Sequence, residues 1–137
     1  MPNGYIIYIL FMVNIYYPMI EINGFLFVNN IERIYLYIMR DEIYKYSNPA
    51  QAQRMAYKYL GKKNGNLFRS TRKEKKYMIK DPKTDKWVYF GQMGYEDYTK
   101  HKNKTRRKNY LTRSSGMRGN WKNNKFSANN LAIHVLW

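Results

Sequence analysis

Acid–base or metal chemistry needs carboxylates and imidazoles within reach of one another. This sequence brings those types close together at one place: Glu96, Asp97 and His101. Acids at the start of a helix also complement its dipole, and that reading needs no catalysis. The other histidine, His134, lies 33 residues further on, so no histidine pair falls one helical turn apart, as a helical metal site requires. The sequence has no cysteine, which excludes disulfides, thiolate zinc sites and cysteine nucleophiles. Gly91, Gly94, Gly116 and Gly119 match neither dinucleotide-binding nor P-loop spacing. A hairpin followed by a helix has the order of the ββα-metal nucleases, but those need histidine in the hairpin, and 75–90 contains none. These residues point to no cofactor, no metal and no small-molecule substrate.

The basic residues carry more information. Lys and Arg number 25 against 9 Asp and Glu, for a net charge of +16, which makes polyanions the default partners. The charge is unevenly spread: residues 1–50 carry three bases and four acids, whereas 51–137 carry 22 bases and five acids. One cluster is Arg69, Arg72, Lys73, Lys75 and Lys76; a second is Lys100, Lys102, Lys104, Arg106, Arg107 and Lys108, followed by Arg113. Tyr77, Tyr89, Tyr95, Tyr98 and Tyr110 are interleaved with them, as stacking on nucleic acid requires. The plainer alternative is a solvated basic face over a core of tyrosines. Either DNA or RNA, or an acidic protein surface, is the expected partner.

The elements that must position these residues follow from local signals. Asn48-Pro49 is an N-cap followed by proline at the first helical position. Good helix formers run from there to Gly61, which predicts a helix over 49–60 burying Ala52, Met55, Ala56, Tyr59 and Leu60. Beyond a polar turn, 67–71, 75–80 and 86–90 read as strands, the last two joined by the Asp81-Pro82 turn. Tyr77, Ile79, Val88 and Phe90 share one face of that hairpin, and Gly91 and Gly94 end the sheet. Asp97 or Thr99 caps a helix running to about Ser114. Gly116 and Gly119 bracket an exposed loop leading to Trp121. Ser127 caps a last helix over 128–136, and the apolar tail ending on Trp137 packs back on the sheet.

The front of the chain is different in kind. Tyr5 to Ile20 is a mostly apolar run interrupted by Asn14 and Pro18, shorter than the ~20 residues that span a bilayer. The alternatives are a membrane anchor or contact through 5–20, a strand pair over 5–17 and 21–28, and a poorly ordered extension or sequence upstream of the folded part. Aromatic and β-branched richness favours strands. Ile31, Ile34, Tyr35, Ile38 and Met39 then recur at helical spacing, giving an amphipathic helix over 31–46.

The stretch Arg69-Ser70-Thr71-Arg72-Lys73, with Lys75-Lys76-Tyr77 and then Phe90-Gly91-Gln92-Met93-Gly94-Tyr95-Glu96-Asp97-Tyr98-Thr99-Lys100-His101-Lys102, resembles a family of small basic proteins encoded by large nucleocytoplasmic DNA viruses. The likeness continues through Arg106 to Arg113, Gly119-Asn120-Trp121 and the closing Asn129-Asn130-Leu131 to Trp137, covering about 47–137. Its motif residues are Gly91, Gly94, Asp97, Tyr98, Thr99, His101, Trp121 and Trp137. The resemblance implies a viral protein of the virion or of the host cytoplasm where virus is assembled, and it brings no catalytic residues. The fold expected is α+β, a small three-stranded antiparallel meander packed by about three helices: an apolar extension over 1–46, then a basic domain over 47–137. The function expected is a non-enzymatic structural or packing protein, in the virion's inner layer or on the genome, binding polyanion or an acidic capsid partner. The alternative is a nucleic-acid-processing or regulatory protein using Glu96, Asp97 and His101.

Overall fold

The computed structural model describes residues 41–137. The strand pair and membrane contact expected over 5–28, and the amphipathic helix as far as residue 40, lie outside the described residues. Of the described part of that expected helix, Ile43–Tyr46 forms one turn, α1. Among the described residues no helix is long and apolar enough to cross a membrane.

Helix α2 (Pro49–Leu60) starts and stops where its sequence says. Asn48 Oδ1 accepts from the Gln51 amide at 3.2 Å, and the Gly61 amide donates back to the Tyr57 carbonyl at 2.9 Å. Ala52 and Ala56, one turn apart, are fully buried. Met55, Tyr59 and Leu60 are only half-buried. Gln53 is buried as well and clamps the following loop. Its amide donates to the Gly65 carbonyl at 2.6 Å and accepts from the Leu67 amide at 3.0 Å. Gly65 fits there because a Cβ would stand 2.7 Å from the Gly61 carbonyl oxygen.

Strands β1 (Phe68–Arg69), β2 (Lys75–Lys80) and β3 (Trp87–Gln92) form an antiparallel sheet in that order, so the molecule is α+β. Asp81 makes the hairpin turn: its carboxylate accepts from the Lys83 amide and its amide donates to the Lys86 carbonyl, both at 2.9 Å. The register pairs Tyr77 with Phe90 and Ile79 with Val88, so the expected face forms, with Tyr77, Ile79 and Phe90 fully buried. Each such side chain taken out of water stabilises the fold by about 1.5–3 kcal/mol. Gly91 does not end the sheet. It lies inside β3 with φ +77°, opposite Lys76, where a Cβ would stand 2.8 Å from Leu136 Cδ1.

The helix expected over 98–114 is two helices, α3 (Tyr98–His101) and α4 (Lys104–Ser115). The break is side-chain driven. His101 Nδ1 accepts from the Asn103 amide at 2.9 Å, Lys102 turns left-handed at φ +55°, and Asn103 Oδ1 caps the new helix through the Arg106 amide at 3.0 Å. At the end of the chain Ser127 caps α5 (Ala128–Leu131), which widens into a π-helical turn, Ala132–Leu136. This segment packs on α2 and β3, as the apolar tail requires. The Tyr59 and His134 rings stack at 4.2 Å. Buried Asn130 donates to the carbonyls of Trp121, Lys122 and Asn124, holding the 3₁₀ turn Trp121–Asn123 beneath it.

The compact unit runs from Ile43 to Trp137, four residues earlier than the boundary at 47. Ile43 is fully buried, and the Tyr46 carbonyl accepts from both Lys76 Nζ and the Asp97 amide at 3.0 Å. Removing a buried isoleucine alone costs about 2–5 kcal/mol. A fragment beginning at residue 43 should therefore melt at least about 10 °C above one beginning at 47. Differential scanning calorimetry of the two checks this, and equal melting temperatures would refute the role given to 43–46.

Candidate functional site

Of the residues that could carry acid–base chemistry, Asp97 is engaged within the fold. Asp97 stands at the N-cap position of α3 but makes no side-chain cap bond. Its Oδ2 meets Lys76 Nζ at 2.9 Å, with both side chains 2 % exposed. Its Oδ1 accepts from the Thr99 hydroxyl. Lys76 Nζ also donates to the carbonyls of Tyr46 at 3.0 Å and Tyr95 at 2.6 Å, so all three of its protons have acceptors. The network runs on through Thr99 Oγ1, which accepts from the Asn48 amide at 2.9 Å and contacts Ser47 Oγ at 3.2 Å. Ser47 Oγ in turn accepts from the Tyr77 hydroxyl at 2.8 Å. Burial pushes the Lys76 ammonium below its ordinary pKa, with the Asp97 carboxylate pulling it back, and burial pushes the Tyr77 phenol well up. Lys76 is therefore not a polyanion contact, contrary to the expectation from its sequence cluster.

Glu96 and His101 do not join Asp97. Glu96 pairs with Arg106 at 3.1 Å on the surface. His101 lies between Tyr98 and Trp137, its Nε2 buried without a partner. Burial, reinforced by Arg106, lowers its pKa; burial, reinforced by Lys125, does the same for His134. Among the described residues no three His, Asp or Glu side chains come together as a metal would need.

The remaining cations divide by position. Arg69 is structural, donating to the carbonyls of Lys75 and Lys76 at 3.1 and 2.8 Å. Arg72 is exposed and lies over the Tyr89 ring at 4.1 Å, on the sheet face that also carries Met78. Lys73, Lys100, Lys102 and Lys104 are exposed. Helix α4 gathers the rest: five of its twelve residues are basic, none is acidic, and only Ser114 is buried. A helix this polar cannot hold itself to the core by an apolar stripe. Arg106 ties it to Glu96, Arg107 Nε donates to the Trp137 carbonyl, and the Tyr110 and Trp137 rings stack at 4.1 Å and 7°.

Holding α4 off the sheet leaves a cleft of about 670 Å³ between it, the end of β3 and the C-terminal helix. Its floor is Phe90, Gly91 and Leu136, and the Tyr110–Trp137 stack forms one wall. Lys75, Arg106 and Arg113 supply its cations; Tyr95, 71 % exposed, and Met117, 55 % exposed, line it as well. Of the motif residues, Gly91 and Trp137 shape the cleft and Thr99 belongs to the buried network. Tyr98 meets Arg107 at 5.3 Å, and exposed Gly94 has open space around it. Trp121 lies outside the cleft, its Nε1 donating to the Met117 carbonyl at 2.9 Å. Sequence reasoning missed Met117, Asn109 and Asn129 as cleft residues. No local signal marks them, because three separate segments converge there.

A family model described as a family of unknown function (DUF5754) matches residues 65–114, from the loop before β1 almost to the end of α4. Comparison with curated proteins and with solved structures finds no match.

Two outcomes follow from this geometry. Lys76→Met strands the buried Asp97 carboxylate and should cost about 3–5 kcal/mol, whereas pairing it with Asp97→Leu should recover much of that loss, read by urea denaturation. For the histidines, the folded pKa lies below the unfolded value of about 6.5, so the unfolded chain takes up protons first as pH falls. Stability is therefore full above that value and declines below it. The urea midpoint should drop as pH falls below about 6.5, and a His101→Gln, His134→Gln double variant should flatten the drop.

Proposed function

We propose that this is a non-enzymatic structural or packing protein that binds nucleic acid through the exposed side of α4 and the cations around it. The observation that carries the reading is α4 itself, an exposed helix with five bases and no acid. Lys104 and Lys108, one turn apart, repel one another and face water. Such a surface is stabilised by a polyanion, whose phosphates replace the missing counter-charges. The absence of a base-reading motif in the sequence fits binding without marked sequence preference. The setting rests on the resemblance over 47–137: a large DNA virus, with the protein in the inner layer of the virion or on its genome as a minor capsid component. The engagement of Asp97 with Lys76 and of Glu96 with Arg106 supports packing over processing at those residues.

The test is duplex DNA binding by fluorescence anisotropy across salt. Log affinity should fall with log salt at a slope of about −3 to −5, losing about 0.9 per phosphate contact removed. Lys104→Gln with Lys108→Gln should weaken binding and flatten the slope by about 2. Neither lysine bonds elsewhere in the described fold, whereas Arg106 and Arg107 do, so this pair tests binding without unseating the helix. Salt-independent binding, or none at low salt, would overturn the reading in favour of a shaped pocket or an acidic protein partner. Quantitative mass spectrometry of purified virions should find many copies per particle; absence from particles would move the protein to a role in the infected cell.

A further inference from the structure

The cleft beneath α4 combines features that a plain electrostatic surface does not need. Its 670 Å³ falls in the size range of ligand sites. Its wall is the stacked Tyr110–Trp137 pair, with the Arg113 guanidinium 5.6 Å from the Tyr110 ring. Tyr95, the most exposed large apolar side chain in the described fold, lines it too. The segment that shapes the floor is a π-helical turn, which places Leu136 against Gly91. Such turns cost regular hydrogen bonding and recur at functional sites.

The charge is one-sided as well. Arg106, Arg113 and Lys75 face the cleft, and the acids that line it are both engaged, Glu96 by Arg106 and Asp97 by Lys76. Aromatic faces bordered by guanidinium groups suit a planar ring attached to a phosphate. The side-chain amides of Gln92 and Asn109 can bond to the edge of such a ring. An acidic peptide would satisfy the cations and leave the aromatic wall unused.

We infer that the cleft takes an unpaired base of a single-stranded nucleic acid, stacked on the exposed Tyr95 ring beside the Tyr110–Trp137 wall, with its flanking phosphates on Arg106, Arg113 and Lys75. This deepens the proposed function and rests on it: α4 presents one side to the backbone of any polyanion and the other to a base that has left its stack. A duplex base would first have to be flipped out, at a cost of a few kcal/mol, so single strands are preferred.

The experiment compares three labelled probes against the full chain at fixed salt: an oligothymidylate of about twelve nucleotides, its abasic analogue, and a duplex of equal length. The base-bearing strand should bind about tenfold more tightly than the abasic one. Tyr95→Ala removes an exposed ring whose carbonyl, the part that holds Lys76, is retained. Ala128→Leu fills the cleft from an exposed helical position. Each should reduce the tenfold ratio to about twofold or less, with thermal melts confirming the fold. Equal affinity for base-bearing and abasic strands overturns the inference while leaving the polyanion reading standing, whereas no binding to any probe overturns both. A ratio unmoved by these variants but lost in Trp87→Ala also overturns it, assigning stacking to the outer sheet face. Displacement of the oligothymidylate by polyglutamate of equal charge as readily as by unlabelled oligothymidylate overturns it in favour of an acidic protein partner.

Discussion

The buried Lys76 ammonium sets the terms for much of this fold. A lysine on a strand can be taken out of water only if every proton finds an acceptor and the charge finds a partner. Here the acceptors come from two stretches of chain: the Tyr46 carbonyl ahead of α2, and the Tyr95 carbonyl with the Asp97 carboxylate in the segment between β3 and α3. Neither stretch satisfies the ammonium alone, so both must arrive together beside β2. The network continues through Thr99 and Ser47 to the Tyr77 hydroxyl, which joins it to the apolar face of the sheet. Such an ion pair contributes little net stability against a well-packed apolar replacement. What it determines is position.

That position has a consequence for α4. The helix is too polar to dock by burial, so it is held from its flanks: Glu96 lies beside the anchored Asp97, and Trp137 lies at the end of the C-terminal segment packed on α2 and β3. Both anchors trace back to the core, one through Lys76 and one through Leu136 against Gly91. The helix is thus suspended beside the sheet, leaving one side to water and the other to the cleft. A more amphipathic sequence would have closed onto the sheet and removed the space.

Much of the secondary structure was legible because its signals are local. Asn48-Pro49 and Gly61 delimit α2, Asp81-Pro82 makes the hairpin turn, and Ser127 starts the last helix. Two elements read differently in the structure. His101 captures the Asn103 amide and splits the helix expected over 98–114, and Gly91 continues a strand it was expected to end. Met55, Tyr59 and Leu60 share the apolar periodicity of Ala52 and Ala56, yet only the alanines lie fully inside. Periodicity assigns a face but not a depth.

The candidate site divides along the same line. The sequence by itself determined that the body is α+β, that its charge is strongly positive after residue 50, and that thiol chemistry is absent; these depend on composition and short-range patterns. It also marked Lys104, Arg106, Arg107, Lys108 and Arg113 as one basic segment, since a run of charge is visible without a fold. Only the tertiary structure decided which cations are free. Lys76 and Arg69 read like their neighbours and are consumed inside the fold, because desolvation and hydrogen-bond partners are set by segments up to 30 residues away. The cleft is likewise invisible in the chain order, since its floor, wall and rim come from a strand, a helix and a terminal turn that meet only when packed.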